Sequence, residues 1–336
     1  MTPAIADTRR SAILPDFYEP IAADLALAQQ AFVDELRSDQ PFINDLTAHI
    51  GQYHGKMLRP ALVLLCGRAA GRVGERHHVA AAVVEMVHVA TLVHDDILDE
   101  ADTRRRVQTV NRLWGNERAV LLGDFLISHA FHLCSRIDSQ HVSRRIGATT
   151  NAVCEGEMMQ VVNRENYSLS ENLYLEIIRR KTAALIGVSC ELGGWCSDAT
   201  PAVVGALHNF GERIGTAFQI VDDVLDLCGD EEIVGKSLGR DLAKGKPTLP
   251  LVHYLSTAPR AARESMLALL REAGEADNGH SAEIARRLQH HGSVAYAQDI
   301  ATNMIQGAQE CLAILPESPT RATLSAMADF VVSRRL

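Results

Sequence analysis

The chain has 336 residues, 47% of them apolar, with a formal charge of −9 at pH 7 and a calculated pI near 5.9. That length admits one large domain or two small ones and a sizeable core, and the acidic balance argues against a nucleic-acid binder. Seven cysteines, odd in number and without a CxxC pair, argue against a disulfide framework or structural zinc and fit a reducing, cytoplasmic setting. The first residues, MTPAIADTRRSAILPDF, lack the apolar stretch of a signal peptide, and no run of 18 apolar residues suggests a membrane span. Val79–Val93 comes nearest, interrupted by Glu85 and His88.

Helical signals run almost end to end. Pro60 suits a helix start, and the ALVLLCGRAAG that follows ends on a glycine suited to a C-cap. Residues 77–101 contain neither Pro nor Gly after His77 and read as one long helix, as do 117–137 and 142–163. Ser168-Leu-Ser-Glu171 reads as a capping box opening a helix that carries Leu173, Ile177 and Ile178. Another long helix is expected over 203–228, with Gly211 and Gly215 inside it. The polar, glycine-rich segment 229–250 is the longest irregular stretch, and such a loop in a helical domain is usually functional; it suits a flap that closes over a site. Residues 274–279 read as a plain surface turn. No strand pair is expected, nor any linker, so residues 1–336 read as a single all-α domain, with the motifs in about 50–255 and a helical part over 256–336.

The chemistry sits in a near-duplication. Asp95-Asp96-Ile97-Leu98-Asp99 and Asp222-Asp223-Val224-Leu225-Asp226 share the pattern DDxLD, offset by 127 residues. On a helix, positions i and i+4 lie about 40° apart around the axis, so the first and last aspartates of each set point the same way one turn apart. Three like charges in one turn, set in apolar surroundings, repel. Hard divalent cations with oxygen ligands neutralise such sets, and Mg²⁺ is held by a few carboxylates together with water and substrate phosphates. A single DDxxD is as well explained by a solvated acidic face; two copies within apolar helices are not.

Basic residues supply the complement. Lys56 and Arg59 lie in GKMLRP, Arg104-Arg105-Arg106 follows the first acidic set, Lys236 and Lys244-Gly245-Lys246-Pro247 follow the second, and Lys181-Thr182 sits between. Arginine forks suit bidentate phosphate contacts and lysine serves as a point charge. Cations clustered after both acidic sets fit diphosphates held between metal ions and basic side chains.

Taken together, GKMLRP, EMVHVATLVHDDILDEADTRRR, GEMMQ, KTA and GTAFQIVDDVLDL…GKSLGRDLAKGKPTLP resemble the trans-type isoprenyl diphosphate synthases, most like their medium- and long-chain members. The resemblance implies the isoprenoid synthase fold, long helices around a deep central cavity, usually as a homodimer. It implies that Asp95, Asp96 and Asp99, and Asp222, Asp223 and Asp226, bind Mg²⁺ and grip an allylic diphosphate. Arg104, Lys181, Lys236 and Lys246 would hold the same diphosphate. Lys56, Arg59, His88 and Arg105 would bind isopentenyl diphosphate, with Thr182 and Gln219 near the reacting carbons. The implied reaction is head-to-tail (1′–4) condensation to a linear all-trans polyprenyl diphosphate. Its catalytic residues are Lys181, Thr182, Gln219 and Arg104. One departure stands out: the family's glycine after the two arginines is Arg106 here.

In short-chain members a bulky aromatic near the positions of Ala90 and Thr91 blocks the cavity. Both are small here, with Val87 and Val83 deeper along the helix, so the expected product is longer than geranylgeranyl diphosphate. Phe125, Phe131 and His132 are candidates for the eventual floor, each equally explained by packing. Glu157 and Gln160 are expected to support the site. His94 reads either as orienting a carboxylate or as a core histidine, the pairs His77-His78 and His290-His291 as surface residues, and the cysteines as buried. The alternatives are a farnesyl or geranylgeranyl synthase and a non-catalytic subunit that binds prenyl diphosphates. A terpene cyclase would carry a different second motif, and a head-to-head condensing enzyme would lack GKxLRP and GKxTLP. At most peripheral membrane contact is expected.

Overall fold

The structure, a computed structural model, describes residues 17–53, 56–229, 239–273 and 280–333. Lys236 and the turn expected at 274–279 lie outside them, as do residues 230–238 of the segment read as a flap. The chain divides into two compact units, Met1–Gly147 with Val188–Leu207 and Ile314–Leu324, and Ala148–Gly187 with His208–Ala313 and Ser325–Leu336. Both are helical.

The first unit contains α1 (Ala22–Glu35), α2 (Pro41–Gly51), α3 (Leu58–Ala70), α4 (Glu75–Leu98), α5 (Val110–Trp114) and α6 (Asn116–Ser135). It also takes the start of α7 (Gln140–Val162), the end of α9 (Ala184–Cys196) and the start of α10 (Pro201–Cys228). Helix α4 is its axis. Every residue from Val79 to Val87 is buried, as expected of a helix that is apolar all round, and α6, α1 and α3 pack against it. Gly123 on α6 leaves room for the His94 ring, where a Cβ would collide with it.

The second unit holds the rest of α7, α9 and α10, with α8 (Glu171–Ile178), α11 (Arg240–Ala243), α12 (Leu249–Thr257), α13 (Arg260–Ala273), α14 (His280–His290), α15 (Ser293–Cys311) and most of α16 (Pro319–Ser333). Between α8 and α9 the helix widens into a π turn over Arg179–Ala183, a bulge that recurs at functional sites. Two glycines let neighbouring helices reach it. A Cβ on Gly156 would lie 2.5 Å from the Lys181 backbone nitrogen, and one on Gly215 would lie 2.7 Å from Ala183 Cα.

The expected helices are present, and the differences from expectation are local. The cap of α8 is Ser170, whose hydroxyl accepts from the Leu173 amide at 3.3 Å, in place of Ser168. Helix α4 stops at Leu98, leaving Asp99 as its C-cap. A two-stranded antiparallel hairpin, β1 (Thr103–Arg104) with β2 (Val107–Gln108), follows where no strand was expected. Two residues per strand are too few for alternation to register in the sequence. His77 is 1% exposed and bonds Gly193 O and Ser197 Oγ, because three polar partners can satisfy a ring that the pair His77-His78 gave no reason to bury. Among the cysteines, Cys154 is exposed. Among the described residues no helix is long and apolar enough to cross a membrane.

Candidate active site

In the first unit, α4 carries the first acidic set at its C-terminal end. Asp95 and Asp99 are half-buried, and the Asp99 amide donates to the Asp95 carbonyl at 2.8 Å, so one turn still separates them although Asp99 closes the helix. Asp96 is 1% exposed. Its carboxylate takes the Arg104 guanidinium side-on, with Nε at 2.9 and 3.0 Å from its two oxygens and Nη2 at 2.7 Å. The second aspartate of the set therefore fixes an arginine. The hairpin presents that arginine: Arg104 pairs with Val107 across a two-residue turn, and the turn residues Arg105 and Arg106 have φ of 52° and 70°. Positive φ at both central positions is what a tight hairpin of this hand needs, and Arg106 stands at a position glycine would occupy without strain. The turn sends Arg105 back to the Tyr53 carbonyl, 2.9 Å away.

A cationic cluster lies behind it. Burial and the charge of Arg105 lower the Arg59 guanidinium to about 10, against the opposing pull of Glu85. Its Nε is shut off from solvent and has no hydrogen-bond partner among the described residues. Glu85 is 7% exposed, and burial pushes its carboxyl up against the pull of Arg59 and Arg105. His88, three residues on and hence on the same face of α4, is driven well below the ordinary histidine value by burial and then by Arg59, Arg105 and Arg104, so it is neutral at pH 7. Two guanidiniums and a neutral imidazole share one carboxylate. That imbalance suits a bound anion. Lys56 is exposed at the edge of this region, ahead of α3.

In the second unit the other acidic set sits near the end of α10 and is held differently. Asp223 is 6% exposed; it accepts from the Tyr174 hydroxyl at 2.6 Å and from Gln219 Nε2 at 2.7 Å. Burial, and then Asp241 and Asp222, push its carboxyl well up against those two bonds. Asp226 accepts from the Asp241 amide at 2.9 Å and is also raised, chiefly by burial. Asp222 is half-buried beside them. Gln219 in turn accepts from Thr182 Oγ1 at 2.8 Å, so a single hydrogen-bonded relay runs from the π turn to the second aspartate. Lys181, on the same turn, is gripped by Glu157 and by Gln160 Oε1, the latter at 2.8 Å. Lys181, Thr182, Gln219 and Asp223 open on a cavity of about 90 Å³ lined also by Asp241, Lys246 and Thr248, room for several waters or a small polar group.

Within the first unit the structure thus gathers Asp95, Asp96, Asp99, Arg104, Arg105, Arg59 and His88. Within the second it gathers Lys181, Thr182, Gln219, Asp222, Asp223, Asp226 and Lys246. Sequence reasoning missed Glu85, which its spacing from His88 could have flagged, and Tyr174 and Asp241, which no local pattern ties to the acidic set. Along α4 below Asp95, Val87 and Ala90 are wholly buried while Thr91 is half-buried, its hydroxyl donating to the His88 carbonyl at 2.8 Å. Of the floor candidates, Phe131 and His132 lie exposed and Phe125 is half-buried, its ring tilted 49° against His129. His94 bonds the Val120 carbonyl at 3.2 Å. Both acidic sets offer only oxygen donors, and the raised carboxyls of the second need a cation to ionise together, which fits a hard divalent ion.

Residues 40–288 match the family model described as Polyprenyl synthetase. The chain is 37% identical to the octaprenyl diphosphate synthase of Haemophilus influenzae, over 93% of this chain and 94% of that one. It is 38% identical to a short chain isoprenyl diphosphate synthase of Methanothermobacter thermautotrophicus, over 85% and 88%. Its fold matches the crystal structure of a polyprenyl synthase from Caulobacter crescentus, complexed with calcium and isoprenyl diphosphate, with a TM-score of 0.89 at 32% identity, covering 98% of this chain and 100% of that one.

Proposed function

The chain belongs to the polyprenyl synthetase family, and we propose that it joins isopentenyl diphosphate head to tail (1′–4) to an allylic diphosphate, making a linear all-trans polyprenyl diphosphate longer than geranylgeranyl. The observation that carries this reading is the repeated DDxLD, in which the second aspartate of each copy is buried and tied down while its neighbours stay half-exposed.

Asp95, Asp99 and Asp222 are the proposed principal Mg²⁺ ligands, with Asp96, Asp223 and Asp226 supporting them. Mg²⁺ held there would neutralise charge on the departing diphosphate as a Lewis acid. Arg104, aimed by Asp96, and Lys181, aimed by Glu157 and Gln160, donate to the allylic diphosphate; Lys246 and Lys236 are assigned to the same group. Lys56, Arg59, Arg105 and His88 bind the diphosphate of isopentenyl diphosphate, an anion whose charge complements the Arg59 and Arg105 guanidiniums. Thr182 and Gln219, already bonded to each other, flank the reacting carbons. Holding both partners in place supplies much of the rate, and excluding water keeps the developing allylic cation from being quenched.

The long-chain reading rests on the small residues Ala90 and Thr91 and on the octaprenyl relative; the short-chain relative at 38% identity supports the competing farnesyl or geranylgeranyl length. Retention of all six aspartates favours an active enzyme over a silent subunit. We assign it to the cytoplasm, as a single-domain homodimer with at most peripheral membrane contact; the seven free cysteines fit a reducing compartment. Purified protein given Mg²⁺, isopentenyl diphosphate and farnesyl or geranyl diphosphate should release diphosphate and yield products beyond geranylgeranyl, and chelation should stop it. An inert protein, or a product ending at geranylgeranyl or below, refutes the corresponding part of the proposal.

A further inference from the structure

A second cluster of ligand-type side chains includes none of the acidic, cationic or π-turn residues described above, and takes in His132, the exposed floor candidate. Glu35, the last residue of α1, is 8% exposed at its side chain. His129 and His132, one turn apart near the end of α6, both aim Nδ1 at the same Glu35 oxygen, at 3.0 and 2.6 Å. A carboxylate is poorly placed there on two counts. It is largely removed from water, and it sits at a helix C-terminus, where the macrodipole is already negative. The end of α6 adds a second negative pole. Only cationic or strongly donating partners make the position favourable, and two imidazoles have been supplied.

We infer that Glu35, His129 and His132 form a binding site for a borderline divalent transition ion, Zn²⁺ foremost, that clamps the end of α1 to α6. Two imidazole nitrogens and one carboxylate oxygen are a donor set that prefers Zn²⁺, Co²⁺ or Ni²⁺ to Mg²⁺. The three donor atoms already lie within 4.8 Å of one another. A tetrahedral ion about 2.0–2.1 Å from each needs donors about 3.3 Å apart, so the two hydrogen-bonded separations open by well under 1 Å. His132 is 72% exposed, which gives the ion a way in and leaves the fourth position to water. The Phe125 ring, 4.2 Å from the His129 ring, shields one side. Metal takes the place of the two Nδ1 protons, a neutral ring carrying its proton on Nε2 instead and a charged ring releasing one to water, and three coordinate bonds replace two hydrogen bonds, so the ion adds to stability in the folded state.

The test is Co²⁺ titration of protein carrying no affinity tag, with Mg²⁺ in large excess to occupy the aspartate sets. Visible ligand-field absorption reports histidine coordination, and Zn²⁺ should displace the Co²⁺. One Co²⁺ per chain is expected, with affinity falling at least about tenfold in His132→Ala, whose exposed side chain can go without loss of fold, and similarly in Glu35→Gln. Zn²⁺ should raise the unfolding midpoint of the parent and not that of His132→Ala. Co²⁺ uptake that is absent under excess Mg²⁺, or equal in the parent and His132→Ala, overturns the inference and leaves the trio as a hydrogen-bonded clamp.

Discussion

Asp96→Asn is the substitution whose outcome the geometry constrains most tightly. The parent carboxylate is 2% exposed and its guanidinium partner 25%. Asparagine keeps the shape but turns one of two acceptor oxygens into a donor facing the Arg104 fork. Breaking a buried pair by neutralising one partner costs about 3–5 kcal/mol, because the other charge stays buried. Arg104 retains some contact with water, so a loss of about 2–4 kcal/mol is expected. Urea denaturation read by linear extrapolation measures it, and the cycle with Arg104→Met separates the coupling from the shape change. In activity, Asp96→Asn should weaken binding of the allylic substrate through the misplaced arginine, while the Mg²⁺ dependence of the remaining activity shifts far less than in Asp95→Asn. A loss below about 0.5 kcal/mol, or an Mg²⁺ requirement raised as much as in Asp95→Asn, would show that Asp96 is a ligand in its own right and not the anchor of Arg104.

Thr91→Phe places an aromatic ring one turn below Asp95, about 6 Å along α4, and should cut the product to geranylgeranyl length or shorter. Ala90→Phe fills a wholly buried position and should also cost about 1–3 kcal/mol of stability, so an unchanged product ladder in Thr91→Phe is the cleaner refutation of the tunnel. Arg106→Gly relieves a left-handed arginine at φ 70°; the relief, about 1–2 kcal/mol, is partly offset by the entropy of glycine, leaving stability equal or slightly higher and kcat unchanged. A tenfold fall in activity would mean that the third arginine contacts substrate. His77 and His88 are both held below the ordinary histidine value by burial. Below about pH 6.5 the unfolded chain takes protons that these folded rings refuse. Stability should therefore be full above that pH and decline as pH falls, and His88→Gln should flatten part of the decline in unfolding midpoints measured from pH 8 to 5.

The legible parts were those carried by short-range pattern. Both acidic sets, the helices that bear them, and the basic residues following each could be read because helical periodicity and i, i+4 spacing are properties of adjacent residues. The wiring was not legible. Tyr174 reaches Asp223 across 49 residues of sequence, and Arg105 reaches Tyr53 across 52; no local signal encodes such partners. The hairpin was invisible for another reason. Its four strand residues are shorter than any alternation test, and its turn uses two arginines where glycine or asparagine would have announced it. His77 is buried although its polarity argues for exposure, because two of its three partners, Gly193 and Ser197, come from far along the chain.

The two copies of DDxLD read alike but are compensated by different means, and this has a consequence of opposite sign. Asp96 is neutralised by a guanidinium. Among the described residues Asp223 accepts only from neutral donors, Tyr174 and Gln219, and it faces the charges of Asp222 and Asp241. Asparagine at 223 can accept from the Tyr174 hydroxyl through its carbonyl and donate to Gln219 Oε1 once the Gln219 amide turns over, with Thr182 Oγ1 then accepting from Gln219 Nε2. It also removes a buried carboxyl whose ionisation burial and its acidic neighbours oppose. Asp223→Asn should therefore leave the metal-free protein as stable as the parent or more so, by up to about 1–2 kcal/mol, where Asp96→Asn destabilises it. Urea denaturation of both variants in chelator decides the matter. If both lose stability by similar amounts, the second set is already balanced by a cation of the protein's own, and its need for an added divalent ion would have to be argued on other grounds.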